Sequence, residues 1–285
     1  MKPPTFAYAA PRNIEAATAL LATGGASARI LAGGQSLVPA MNFRLSRPDL
    51  VIDINRIPEL AFIGIEQDLL AIGAMTRQRA IETSPLIAQA APLLQQATGS
   101  VAHLPIRTRG TLGGSLAHAD PAAEYPAVAL ALDARMIAQR GAERRTIAAA
   151  DFFRGVFTTA LLADELLVEI HFPRRTPQQV CAFEEHSRRK GDFALAGVAV
   201  CFDVAGHRAE RARIAVCGVG PHAQRLPDAE ALLQSGDLSP AHIAAVAQAA
   251  MRMVDPPSDL HAAAAYRRHL LGVLVRRAIA RAMAA

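Results

Sequence analysis

Two glycine pairs narrow the fold more than any other feature of this chain. They occur in Ala32-Gly33-Gly34-Gln35-Ser36 and in Thr111-Leu112-Gly113-Gly114-Ser115. The first directly follows an apolar run, Ala28–Ala32, that reads as a strand. The second lies in a stretch from Gly99 to Tyr125 with little helix signal, and a segment that long without a regular element is usually functional. Glycine lets a backbone approach a ligand closely, and successive N–H groups in such a turn form a nest for anions. Ser36, Thr111 and Ser115 add hydroxyl donors. Two turns of this kind could clamp the two phosphates of a dinucleotide from opposite sides. Each alone is also compatible with an ordinary tight turn.

The surrounding pattern predicts three segments. In the first, Asn13 caps a helix over 13–22 that Gly24-Gly25 stop, and strands follow at 28–32 and 50–54. Pro58 ends this unit. The second opens with a strand at 69–73 and a short helix from Thr76. Ser84-Pro85 then starts a helix running to Ala97, and a helix at 126–132 and a strand at 166–172 close the segment. Pro173 to Gln179 reads as a linker. Beyond it, strands at 197–204 and 211–217 flank a turn at Ala205-Gly206-His207. Helices at 240–254, capped by Ser239, and at 259–282 complete an α+β unit.

Composition and spacing exclude several classes. Of 285 residues, 52% are hydrophobic and 19% charged, which is a globular balance. No apolar run is long enough to span a bilayer, and nothing after Met1 reads as a secretory signal. The net charge of +5 raises nucleic-acid binding. However, the arginines are scattered, the only lysines are Lys2 and Lys190, and there is no tryptophan to stack on bases. Cys181, Cys201 and Cys217 are widely spaced with no C-x-x-C pair, so this chain does not ligate an iron–sulfur cluster alone. They fit buried thiols in a reducing compartment, and a cytoplasmic location is expected. Neither glycine turn is G-x-G-x-x-G, and there is no Walker A sequence, so Rossmann and P-loop sites are excluded.

Taken in order, the chain resembles the FAD-binding medium subunits of the molybdenum hydroxylases, which include aerobic carbon monoxide dehydrogenase and the xanthine dehydrogenase flavin domain. The residues that carry this are Ile30–Leu37, Leu50–Asn55, Ile72-Gly73-Ala74, Arg107–Pro121 and Ser187–Phe193. The resemblance implies an α+β chain with a PCMH-type FAD-binding fold. That fold has two α/β subdomains, at 1–58 and 59–176, and a C-terminal α+β domain with a small antiparallel sheet, at 177–285. It implies non-covalent FAD, with Ala32, Gly33, Gly34, Gln35, Ser36, Thr111, Gly113, Gly114 and Ser115 at the pyrophosphate. Glu124 takes the place of an acidic residue that contacts the cofactor, and Phe193 that of a residue lying against the isoalloxazine. Relatives often carry a lysine between Phe183 and His186 that reaches the flavin. Here Glu184 and Glu185 stand there, and the nearby lysine is Lys190.

The function so implied is electron transfer. A large partner subunit would hold the molybdenum cofactor, a small partner would carry [2Fe-2S] clusters, and the assembly would be a dimer of heterotrimers. One rival is a self-contained flavin oxidase or reductase of the same fold, which needs its own catalytic acid or base beside the flavin. Another is an assembly subunit that has lost FAD, against which the intact glycine turns argue. His118 and Asp120 could also open a two-histidine, one-carboxylate iron site if His171 or His207 completed it. The same stretch is already accounted for by the flavin turn.

Overall fold

A computed structural model describes residues 2–284. The first sheet is small and parallel. Its strands β1 (Ala7–Ala9), β2 (Ala28–Leu31) and β3 (Leu50–Asp53) lie in the order β1-β3-β2. The crossover from β1 to β2 contains the helix Ile14–Gly24, whose first turn is capped by Asn13 Oδ1 accepting from the Ala16 N–H at 2.8 Å. Ile14, Ala17 and Leu21 on that helix pack against Ile52 and Ile54, and Ile137, Leu166 and Val168 of the next sheet close the same core.

That second sheet is antiparallel. It comprises β4 (Ile63–Glu66), β5 (Leu69–Gly73), β6 (Arg135–Arg140), β7 (Glu143–Ala148) and, after a hairpin of β8 (Phe153–Gly155) and β9 (Thr158–Thr159), β10 (Leu166–Pro173). Their order is β4-β5-β10-β6-β7. The third sheet, β11 (Gln179–His186), β12 (Ala196–Ala205), β13 (Arg208–Cys217) and β14 (Gln224–Arg225), is antiparallel in chain order. Both of its faces are buried. Ala182, Val198, Val200 and Val216 meet the helices Pro227–Ser235, Pro240–Arg252 and Ala264–Met283. Cys181, Phe183, Ala199 and Cys217 join the core that includes the helices Pro92–Thr98 and Glu124–Ala131. This two-sided burial explains why β12 reads as an almost unbroken apolar run.

Several expectations are corrected. The helix expected over 84–97 is two, Pro85–Ala90 and Pro92–Thr98, because Pro92 lacks the N–H that would continue the first. The stretch 99–125 contains the helices Leu104–Arg107 and Leu112–His118, so Gly113 and Gly114 sit in a helical first turn. The expected linker at 173–179 ends in β11, and the last helix starts at Ala264 rather than Asp259. Cys181, Cys201 and Cys217 are buried free thiols. Among the described residues, no helix is long and apolar enough to cross a membrane.

Candidate functional site

The loop after β2 and the helix Leu112–His118 meet at a cavity of about 590 Å³. All eleven residues singled out in the sequence line it: Ala32, Gly33, Gly34, Gln35, Ser36, Thr111, Gly113, Gly114, Ser115, Glu124 and Phe193. They come from three separate parts of the chain, with Phe193 supplied by the loop between β11 and β12. Phe193 is 67% exposed and belongs to none of the cores. It therefore lines the cavity without packing into the adjacent sheet.

The two glycine turns are not equivalent. Around the second, the backbone donors from Leu112 to Ser115 are already engaged. Leu112 N–H donates to the Thr76 carbonyl (3.1 Å), Gly113 N–H to that of Ala74 (2.9 Å) and Ser115 N–H to that of Thr111 (3.2 Å). Gly114 N–H donates to Thr111 Oγ1 at 3.0 Å. In the first turn, no N–H of Gly33, Gly34, Gln35 or Ser36 donates to an acceptor among the described residues. The unpaired donor row is thus on one side only, and the second turn offers the Thr111 and Ser115 hydroxyls and a wall.

The need for glycine also differs by position. Only Gly34, at φ +73°, has the backbone conformation that favours glycine. A Cβ on Gly33 would overlap the Arg109 carbonyl oxygen and lie 2.8 Å from Gly110 Cα, so the two turns touch backbone to backbone there. A Cβ on Gly113 would lie 2.5 Å from Ala74 Cβ. At Gly114 the nearest atoms would be Thr111 Oγ1 at 2.6 Å and Ala32 Cβ at 3.5 Å. The sequence argument that both pairs spare room for a ligand is corrected at Gly33 and Gly113, where protein backbone fills that room.

One cavity residue was not anticipated. Gln78 is buried in the first turn of the helix Gln78–Thr83, and its Oε1 has no hydrogen-bond partner. That oxygen is packed against Gly110, where an added Cβ would overlap it, and an unpartnered buried acceptor of this kind is costly. A lone polar residue near a strand end carries no sequence signal that separates it from surface.

Electrostatically, the cavity lining includes the acidic side chains Asp120, Glu124 and Glu165. Glu124, the first residue of the helix Glu124–Ala131, is 7% exposed, and burial, reinforced by Asp120, pushes its carboxyl up to about 7. Glu185 on β11 is pushed up to about 8 by burial and by Glu124, and its Oε2 is buried without a partner. Behind it, burial raises the Cys217 thiol well above its ordinary range. Burial also lowers the His118 pKa, opposed by Asp120, and the ring packs on Phe157 with centroids 4.8 Å apart. Strand alternation separates Glu184 from Glu185. Glu184 turns to the C-terminal helix and pairs with Arg281 at 2.7 Å, whereas Glu185 shares the face of Cys181 and Phe183 and does not line the cavity.

His118 and Asp120 do not converge with His171 or His207. The one cluster with ligating geometry among the described residues is Glu66, Glu169 and His171, away from the cavity. There the His171 ring (2.6 Å) and Arg144 (3.8 Å) already approach Glu169.

A free N–H row suits an anion, so the fold and cavity fit a phosphate-bearing cofactor. Comparison with known proteins agrees. Residues 4–175 match the family described as FAD binding domain in molybdopterin dehydrogenase, and residues 181–282 match the CO dehydrogenase flavoprotein C-terminal domain. The chain is 46% identical, over 99% of its own length and 96% of the relative's, to the 6-hydroxypseudooxynicotine dehydrogenase complex subunit alpha of Paenarthrobacter nicotinovorans. It is 42% identical to the nicotine 6-hydroxylase medium subunit of the same organism, over 99% of both chains. A solved carbon monoxide dehydrogenase from Hydrogenophaga pseudoflava, which lacks the Mo-pyranopterin moiety of its molybdenum cofactor, superposes with a TM-score of 0.98. Its identity to this chain is 39%, covering 100% of this chain and 99% of the other. The chain belongs to the FAD-binding medium subunits of the molybdenum hydroxylases, and it is an oxidoreductase subunit with the α+β fold expected for that family.

Proposed function

We propose that this chain is the electron-transfer subunit of a three-component molybdenum hydroxylase. FAD, when bound, supplies the chemistry that accepts electrons from partner [2Fe-2S] clusters and releases them to an external acceptor. The observation that carries the reading is the free N–H row at Gly33–Ser36, in residues that line one cavity with Thr111, Ser115, Glu124 and Phe193. The N–H groups of that row would hold the diphosphate, assisted by the Ser36, Thr111 and Ser115 hydroxyls. Glu124, whose carboxyl is raised to about 7, would meet the cofactor with less negative charge than an ordinary carboxylate. Phe193, exposed at the cavity, would cover the ring system and exclude water.

The division of labour follows from the cysteines. Three buried, unpaired thiols cannot hold a cluster, so the clusters belong to a small partner and the molybdenum cofactor to a large one, assembled as a dimer of heterotrimers in the cytoplasm. We take 1–58, 59–176 and 177–285 as the working units of the chain. The test is to co-express the chain with its two partners. A complex containing all three chains with FAD in this one is expected. A fully active homo-oligomer would instead support a self-contained flavin enzyme.

A further inference from the structure

The first glycine turn follows a strand and the second lies between two helices, at the start of the later one, yet the donor row of one and the wall of the other must face a single ligand across a fixed gap. We propose that Asn55 and Arg77 are positioning residues that set this gap, tying the two turns together by a hydrogen-bonded bridge behind the cavity. The inference rests on reading the cavity as the FAD site.

The bridge is continuous. Asn55, just past β3, donates from Nδ2 to the Ala32 carbonyl at 2.8 Å and to Asp53 Oδ1 at 2.6 Å. Its Oδ1 accepts from Arg77 Nη2 at 2.6 Å. Arg77 Nη1 in turn donates to the Arg109 carbonyl at 2.5 Å. The base of the bridge is anchored as well. Tyr8 donates its hydroxyl to Asp53 Oδ2 at 2.6 Å, and Asp53 Oδ1 also accepts the Asn55 N–H at 2.9 Å. One side-chain amide therefore holds the first turn with its donor end and, through a guanidinium, the second turn with its acceptor end.

The residue types suit this task. An amide is the small planar group with a donor and an acceptor on opposite arms, whereas a carboxylate at Asn55 would offer acceptors only. A guanidinium presents several donors in a fixed fork and can bind two acceptors at once, which an ammonium on one stem cannot do in the same geometry. Among the described residues, Arg77 makes no ion pair, so charge pairing does not explain its half-buried place. The gap it controls has no slack, because the Arg109 carbonyl that Arg77 grips is the atom a Cβ on Gly33 would overlap. Neither Asn55 nor Arg77 lines the cavity. Their influence on a ligand must pass through the turns.

The full chain, stripped of flavin, is titrated with FAD, ADP and riboflavin for the parent and for Asn55→Ala, Asn55→Asp, Arg77→Met, Arg77→Lys and Asn55→Ala/Arg77→Met. Loss of the bridge is expected to raise the Kd for FAD and ADP by about tenfold or more. Riboflavin, which lacks the diphosphate, should bind the variants as it binds the parent. The melting temperature of the flavin-free chain should move little, because the freed groups reach water. Arg77→Lys should not restore FAD affinity. The double variant should be no worse than the worse single one, since both act through one bridge. Unchanged FAD affinity in the single variants, additive losses, or equal losses for FAD and riboflavin would each overturn the proposal while leaving the FAD site standing. A parent chain that binds neither FAD nor ADP would overturn the site and the proposal together.

Discussion

Glu124→Gln should stabilise the flavin-free protein at alkaline pH, and by an amount the structure sets. The side chain is 7% exposed, and its carboxyl moves from 4.5 in the unfolded chain to about 7 in the fold. Because the folded pKa is the higher one, the folded state holds the proton more tightly. Below about pH 4.5 both states are protonated and the residue costs nothing. Stability then falls as the pH climbs from 4.5 to 7, and beyond 7 the loss is complete. The size of that loss is about 3 kcal/mol. Glutamine has nearly the same shape and no charge, so the variant should match the parent near pH 4.5 and exceed it by up to about 3 kcal/mol at pH 8. In a chain this long that is a melting-temperature gain of about 6 °C. Urea unfolding of parent and variant at pH 5, 6, 7 and 8 measures it. Glu185 shifts in the same direction, so a shallower fall should persist in Glu124→Gln and vanish in the variant with Glu185→Gln added. If Glu124→Gln is no more stable than the parent at pH 8, or if the pH slopes coincide, Glu124 is not the buried, protonated group described here. An ionisable residue kept where a neutral one is more stable points to use of the carboxyl by the cofactor site.

Other substitutions separate packing from ligand contact. Gly113→Ala should destabilise the whole protein, because its Cβ would meet Ala74 in the backbone as well as the side chain. Gly114→Val, whose first obstacle is the Thr111 hydroxyl, should fold with little flavin; thermal melts and flavin content distinguish the two. Phe193→Ala should leave stability within about 0.5 kcal/mol of the parent, as expected for an exposed side chain, and shift the flavin absorption spectrum. A marked loss of stability would place the ring in a core instead. Gln78→Leu should raise the stability of the flavin-free chain by about 1 kcal/mol by removing an unpaired buried acceptor; urea unfolding measures it, and a loss of stability would show that the amide is satisfied.

Much of this architecture was legible in local chemistry. Asn13 and Ser239 mark helix starts that the structure confirms with side-chain caps, and the turn at Gly206-His207 joins two strands expected on either side of it. The misses share a cause, which is that tertiary packing overrode local signals. Gly113 and Gly114 looked like loop, yet the helix they begin is held by Ala74 and Thr76 from another part of the chain. The hairpin of β6 and β7 was hidden because β7 is rich in charge and exposed. The strand β11 was not anticipated, because only Val180 to Phe183 of it is apolar and it ends in Glu184-Glu185-His186. At the site, the glycine motifs located both turns but not the division of roles between them, which depends on hydrogen bonds to distant carbonyls. Gln78, Asn55 and Arg77 were invisible as site residues because each is a single polar side chain beside a strand end. Only the fold shows what each one faces.

The most direct measurement of the central claim is the flavin content of the purified chain. After incubation with FAD and removal of the excess, acid or heat denaturation should release one FAD per polypeptide, non-covalently bound, from a yellow protein that oxidises no organic substrate without its partners. A chain that stays colourless and releases no FAD under those conditions would contradict the account.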